Sequence, residues 1–262
     1  MSIIRRGNTI YLKSLDDASI EDAIEALMVP RVKIGPNYLV GSSSIMEEIK
    51  DKIVKYAKAE EPVHLFGETG VGKNIAAKMI HLHSGKRREM IYENCAHLRS
   101  SLKSSRLFGH MKGSFTGATT DRKGLFGMAN GTTIFLDEFE TLDLNTQAEL
   151  LDVIETGSYK KVGSDKPIHS DFRLITASNE HLDSLSEKGR IRKDLLYRIN
   201  PLSIELPPLR EHREDIPELI DFYEFEHGII TKRFYDFKAL DNYEFKGNVR
   251  ELFSILRSFE LS

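Results

Sequence analysis

Gly67-Glu68-Thr69-Gly70-Val71-Gly72-Lys73 places three glycines and a lysine within one short run. Glycines let a backbone curl until several N–H groups point inward, where together they hold phosphate oxygens. Lys73 adds a full positive charge, and a helix opening there adds the partial charge of its N-terminus. The chemistry implied is nucleoside triphosphate binding by Gly67, Glu68, Thr69, Gly70, Val71, Gly72, Lys73 and Asn74. Asn74 stands where a serine or threonine commonly contacts magnesium, so the metal must rest on Asp137 and on the phosphates themselves. Asp137-Glu138 ends the apolar run Thr133-Ile134-Phe135-Leu136. Two carboxylates leaving the carboxyl edge of a sheet suit two tasks: Asp137 holds magnesium, directly or through water, and Glu138 acts as general base on the attacking water. A solvated acidic turn is the plainer alternative, and the glycine loop upstream argues against it.

Asn179, just past Phe172-Arg173-Leu174-Ile175-Thr176, can hydrogen-bond the same water or the γ-phosphate, although asparagine is also a good turn residue. Arg192 and Arg198 share one short segment. Their guanidiniums could stabilise charge on a neighbouring subunit's phosphate, and spacing alone does not separate this from a solvated helix face. Asn248-Val249-Arg250-Glu251 has capping-box spacing at the start of the last helix, which aims Arg250 toward the nucleotide.

These groups need a frame. Val63–Phe66, Thr133–Leu136 and Phe172–Thr176 read as buried strands, and Lys73–His83 and Asn145–Glu155 as helices, the latter stopped by Gly157. Ser44 and Glu47 form a capping-box pattern before Ile45, Ile49, Ile53 and Ala57. Alternating strands and helices predict an α/β fold with a parallel sheet flanked by helices. After Pro207-Pro208 the pattern is only helical, a small lid. The expected organisation is a short N-terminal segment and linker over 1–36, an α/β nucleotide-binding part over 37–208, and the helical lid over 209–262.

Composition excludes rather than selects. A net charge of −3 argues against a chain that coats nucleic acid. The single cysteine, Cys95, rules out an internal disulfide framework and fits a reducing cytoplasm. No apolar run is long enough to span a bilayer, and the first residues lack the apolar stretch of a secretory signal.

The segment Leu107-Phe108-Gly109-His110-Met111-Lys112-Gly113-Ser114-Phe115-Thr116-Gly117-Ala118 brackets one aromatic with two glycines, as in a flexible loop that presents an exposed Phe115 to a partner. It resembles the sigma-54-contacting loop of bacterial enhancer-binding proteins, usually Gly-Ala-Phe-Thr-Gly-Ala. The resemblance runs over residues 39–262 and includes Val40-Gly41-Ser42, Asn94-Cys95-Ala96, Gly131-Thr132-Thr133, Leu206-Pro207-Pro208-Leu209-Arg210-Glu211 and Gly247-Asn248-Val249-Arg250-Glu251-Leu252. It implies an AAA+ P-loop ATPase that uses ATP and magnesium. The family forms a ring, typically a hexamer, that remodels sigma-54 RNA polymerase holoenzyme to activate transcription.

By the same resemblance, Lys73, Asp137 and Glu138 match hydrolysis residues, and Val40 and Gly41 join the nucleotide contacts. Asn94 matches the asparagine that restrains the catalytic glutamate, Arg192 and Arg198 match paired fingers acting across the ring, and Arg250 matches the lid's sensor arginine. Gly113, Ser114, Phe115, Thr116, Gly117 and Ala118 match the sigma-54 contact. No receiver domain or helix-turn-helix is expected within the chain. Departures are Ser114 for the usual alanine, Met111 for an acidic residue, Gly127-Met128 where glutamate and often a base stand, and Asp152 for an arginine. They favour an alternative: a regulatory protein that oligomerises with activators or occupies sigma-54 without productive remodelling.

Overall fold

Apolar runs too short for helices become the strands of one parallel sheet, and the amphipathic stretches between them become its helices. The computed structural model describes residues 2–6, 9–13, 38–98, 102–228 and 243–260. Strand β1 (Ser2–Arg6) pairs antiparallel with β2 (Thr9–Lys13); the linker expected around Pro30 and Gly35-Pro36 lies outside the described residues. There follow α1 (Ser44–Ala57), β3 (Val63–Phe66), α2 (Lys73–His83), β4 (Ile91–Asn94), α3 (Lys103–Phe108), α4 (Leu125–Met128) and β5 (Thr132–Asp137). Next come α5 (Leu144–Thr156), the hairpin β6 (Ser158–Lys160) and β7 (Pro167–His169), β8 (Phe172–Ser178), α6 (Leu182–Glu187) and α7 (Lys193–Ile199). The chain continues through β9 (Leu202–Glu205), α8 (Ile216–His227) and α9 (Asn248–Glu260).

The main sheet has the order β4-β5-β8-β3-β9, with every pair parallel. Asn94 lies opposite Asp137, Leu136 opposite Thr176, and Phe66 opposite both Ser178 and Glu205. This register brings all five carboxyl ends to one edge. Period-two alternation splits the core into two layers. Ile134, Leu136 and Leu174 face α3, α4, α5 and α7, whereas Phe135, Ile175 and Ala177 face α1 and α2. Helices therefore cover both faces, as the α/β reading expected. Leu209, Leu219, Ile220, Phe245, Leu252 and Leu256 build a separate core in the helical part after Pro208.

Local details refine the reading. The cap of α1 is Ser43 rather than Ser44: Ser43 has the extended backbone, and its Oγ accepts the Met46 N–H at 3.4 Å. Asp143 caps α5 by accepting the Thr146 N–H at 2.9 Å. Arg173, 1% exposed inside β8, is tolerated because its guanidinium donates to the carbonyls of Tyr56 and Ala57 at the end of α1. Strands β4 and β9 were not expected from sequence.

Candidate active site

Three neighbouring strands end at the same edge and deliver the chemical groups: β3 the glycine loop, β5 the acid pair and β8 Asn179. Gly67 has φ 152°, and a Cβ there would sit 2.6 Å from the Leu206 carbonyl oxygen, so only glycine lets the loop pass beneath β9's exit. Gly72, at φ 106°, caps α2 and aims the first helical residue, Lys73, inward. Lys73 is 8% exposed. Its Nζ donates to the carbonyls of Gly67 (2.6 Å) and Glu68 (3.0 Å) and to Asn179 Oδ1 (2.7 Å). Burial pushes its pKa down, while Asp137, Glu140 and Glu138 pull it up. Asn179 Oδ1 also accepts from the Thr69 hydroxyl at 3.4 Å.

Asp137 closes β5, also 8% exposed. Burial raises its pKa, opposed by the Glu138 N–H on Oδ1 at 3.0 Å and by Lys73. Glu138 adopts φ 49°, ψ 42°, a left-handed conformation that costs a non-glycine residue about 1–3 kcal/mol. Thr141 holds that bend by donating its N–H (3.0 Å) and hydroxyl (2.8 Å) to the Glu138 carbonyl. The Glu138 carboxylate accepts from Asn94 Nδ2 at 3.2 Å. Asn94's amide oxygen is fixed by the Ala96 N–H at 2.9 Å, which leaves its NH₂ facing Glu138.

A cavity of about 420 Å³ gathers Val40, Thr69, Gly70, Val71, Gly72, Lys73, Asn74, Asp137, Glu138, Asn179 and Arg250. Gly41, Gly67, Glu68 and Asn94 are not part of that lining. Gly41 passes against Asp215, whose carboxylate accepts the Ser42 and Ser43 N–H groups (both 2.8 Å) and pairs with His212 Nδ1 at 2.9 Å. Burial pushes Asp215 upward, and the bonds from His212 and Ser43 more than offset this. The Glu68 carboxylate turns toward Arg210, which donates twice, at 2.9 and 2.6 Å, and holds its pKa down at about 2. Only the Glu68 backbone is left for a phosphate.

Asn248 sits at φ 55°; its Oδ1 accepts the Leu209 N–H (2.8 Å) and its Nδ2 donates to the Thr69 carbonyl (3.0 Å). The expected capping box between Asn248 and Glu251 is therefore absent: Asn248 Oδ1 is taken by Leu209 and the Asn248 N–H donates to the Phe245 carbonyl (2.7 Å), so Glu251 accepts the Gly247 N–H at 2.7 Å instead. Arg192 and Arg198 do not join the cavity within one chain. Arg192, half-buried at the N-cap of α7, pairs with Asp194 (2.7 Å), and Arg198, exposed on α7, pairs with Glu155 (3.4 Å).

Two groups were missed. Glu140 is 8% exposed; its Oε1 accepts the Asn179 N–H at 3.1 Å, and its Oε2 is buried with no hydrogen-bond partner. Burial raises its pKa. The third carboxylate in Asp137-Glu138-Phe139-Glu140 was the available signal. His64 bridges Thr176 Oγ1 (2.9 Å) and Ser178 Oγ (3.0 Å) beneath the loop, and burial, Lys73 and His181 push it down to about 3.

The glycine-bracketed segment differs from expectation. Gly113 N–H to Ala118 carbonyl (2.8 Å) and Ala118 N–H to Phe115 carbonyl (3.0 Å) close it into a turn. Met111 N–H to the Val162 carbonyl (3.0 Å) joins it to the β6–β7 hairpin. Phe115 is half-buried rather than exposed, because the turn folds it back edge-on to the His110 ring at 5.0 Å. Thr116 and Gly117 remain exposed and Ala118 is buried. Ser114 packs beside Gly163, where a Cβ would come within 2.5 Å of its own. Among the described residues no helix is long and apolar enough to cross a membrane.

Residues 39–205 match the sigma-54 interaction domain family. The nitrogen fixation protein AnfA of Azotobacter vinelandii is 40% identical over 228 residues, covering 84% of this chain and 43% of that protein. The transcriptional regulatory protein XylR of Pseudomonas putida is 41% identical over 225 residues, covering 83% and 40%. The crystal structure of NtrX from Brucella abortus in complex with ADP aligns with a TM-score of 0.76 at 25% identity, over 90% of this chain and 54% of that one. The chain thus spans roughly two fifths of the length of these two curated relatives. Sheet order, glycine loop, acid pair and these matches agree: the chain belongs to the sigma-54 interaction domain family of AAA+ proteins.

Proposed function

We propose that this domain binds and hydrolyses ATP with magnesium and uses the cycle to drive residues 113–118 against sigma-54 in RNA polymerase holoenzyme. The observation that carries this reading is Glu138, held by Asn94 at a cavity whose phosphate side is Lys73. On nucleotide entry Lys73 redirects donors from the Gly67 and Glu68 carbonyls to phosphate oxygens, and Asn179 is freed to hold the γ-phosphate or the water. Asp137 suits magnesium: it is buried, lines the cavity and carries a carboxylate that a cation would keep ionised. Once bound, the metal would offset charge on the phosphate oxygens. Asn74 lines the same cavity as Asp137. Glu138 accepts the water's proton once Asn94 releases it.

Arg192 and Arg198 face outward, which suits a role at a neighbour's phosphate in a ring of typically six copies, and Arg250 reaches the cavity from the helical lid. Work on RNA polymerase belongs in the cytoplasm. The tucked Phe115 favours a second reading, in which the domain occupies sigma-54 or joins related activators without remodelling. The test is capture of sigma-54 holoenzyme in ADP with aluminium fluoride against ADP alone, followed by open-complex formation. Capture only in the first state, lost in Phe115→Ala, together with open complexes supports the motor. Capture without open complexes supports the second reading.

A further inference from the structure

The acid that would activate water and the aromatic of the turn lie at opposite ends of a continuous set of contacts. Asn94, which holds Glu138, is the last residue of β4. Its neighbour Glu93 forms an ion pair with Arg106 on α3, Nε to Oε2 at 2.6 Å. The side chains are 13% and 38% exposed, so this pair is largely withdrawn from water on the Glu93 side. On the same helix Ser105 Oγ lies 2.8 Å from His110 Nδ1, and the His110 ring supports Phe115. Helix α3 then runs straight into Gly109 and the turn.

The mechanical setting makes the pair consequential. Among the described residues strand β4 is an edge of the sheet and pairs only with β5. It can move along that one ladder without breaking a second, unlike β5, β8 or β3, each held on both sides. Beneath the turn is a cavity of about 430 Å³ lined by Glu93, Arg106, His110 and Phe115, so α3 and the turn have room to shift. Among the described residues Glu93–Arg106 is the ion pair that joins β4 to α3. Burial favours a paired over an unpaired carboxylate, so displacing Glu93 draws Arg106 with it.

We propose that Glu93 and Arg106 are positioning residues that convert release of Glu138 by Asn94 into movement of α3 and of the Phe115 turn. The inference rests on the ATP-driven reading above and names the route by which it acts. A pair at this place carries a coupling between two sites without touching nucleotide or partner.

The experiment uses the full chain, as wild type, Glu93→Gln, Arg106→Gln and the swapped double variant Glu93→Arg/Arg106→Glu. Hydrogen exchange is measured across residues 109–119 in ADP with aluminium fluoride and in ADP alone, beside ADP affinity from a fluorescent analogue. The two single variants are expected to bind ADP within about twofold of wild type, while the state-dependent exchange difference falls about fivefold or more. The swap restores a substantial part of it. Single variants that keep the wild-type difference overturn the proposal. So do single variants that lose ADP binding in parallel, which marks the pair as merely structural. A wild-type turn that ignores nucleotide state while ATP is turned over instead sinks the reading that the cycle drives the turn.

Discussion

Glu138 combines a left-handed backbone with a carboxylate held by one amide, an arrangement that would keep the proposed base ready and restrained. Glu138→Gln should retain ATP binding and lose hydrolysis by about a hundredfold or more, since an amide cannot accept the water's proton. Single-turnover assays beside a binding titration check this, and near-normal turnover would remove Glu138 from the role. His64 offers a prediction about stability. Its unfolded pKa is about 6.5, and the folded value is pushed down to about 3, chiefly by burial. Below pH 6.5 the unfolded chain binds the proton and the native one does not, so stability is full above that pH and drains as pH falls toward 3. Between pH 7 and 5 this one residue should cost about 2 kcal/mol. Urea midpoints should therefore fall less over that interval in His64→Asn than in wild type. Parallel losses would show that His64 is not held neutral.

At the scale of elements, β3, β5 and β8 were legible because Val63-His64-Leu65-Phe66, Thr133–Leu136 and Phe172–Thr176 are largely apolar, as strands covered on both faces must be. Edge strands β4 (Ile91-Tyr92-Glu93-Asn94) and β9 (Leu202-Ser203-Ile204-Glu205) were not, since half of each is polar and a lone alternation that short matches many loops. The glycine loop and acid pair were readable from local spacing. Glu140 and the Asn248 contacts depend on segments far apart in sequence, and the Phe115 turn was misread because its support, His110, becomes a platform only once the chain folds back. Gly127 shows how packing overrides propensity. Alanine normally gains up to about 1 kcal/mol over glycine inside a helix. In α4, however, a Cβ would meet Tyr159 Oη at 2.5 Å and Lys123 Cγ at 2.8 Å. Gly127→Ala should therefore lose about 1–3 kcal/mol, read from thermal or urea unfolding. A stabilised variant would mean that Tyr159 and Lys123 yield freely.

For the whole molecule, if Arg192 and Arg198 act at a neighbour's phosphate as proposed, assembly is a condition of activity. Hydrolysis per chain should rise with protein concentration, and mixing inactive Arg198→Ala with inactive Glu138→Gln should restore part of it, because one type of junction is then intact. A concentration-independent rate with no rescue would place the arginines outside the reaction. One further consequence follows from the ties between early and late sequence. Asp215 grips residues 42 and 43, while Arg210 and Asn248 grip Glu68 and Thr69. Val249, Arg250 and Phe253 complete the cavity wall. During synthesis the glycine loop leaves the ribosome long before these partners exist, although domains tend to fold as their chain emerges. The sheet can form first, but the phosphate cradle has to wait for its last wall. Stalled nascent chains should bind a fluorescent ATP analogue only after Phe253 has cleared the exit tunnel, so the newborn chain is blind to nucleotide until this last stretch of cavity wall has emerged.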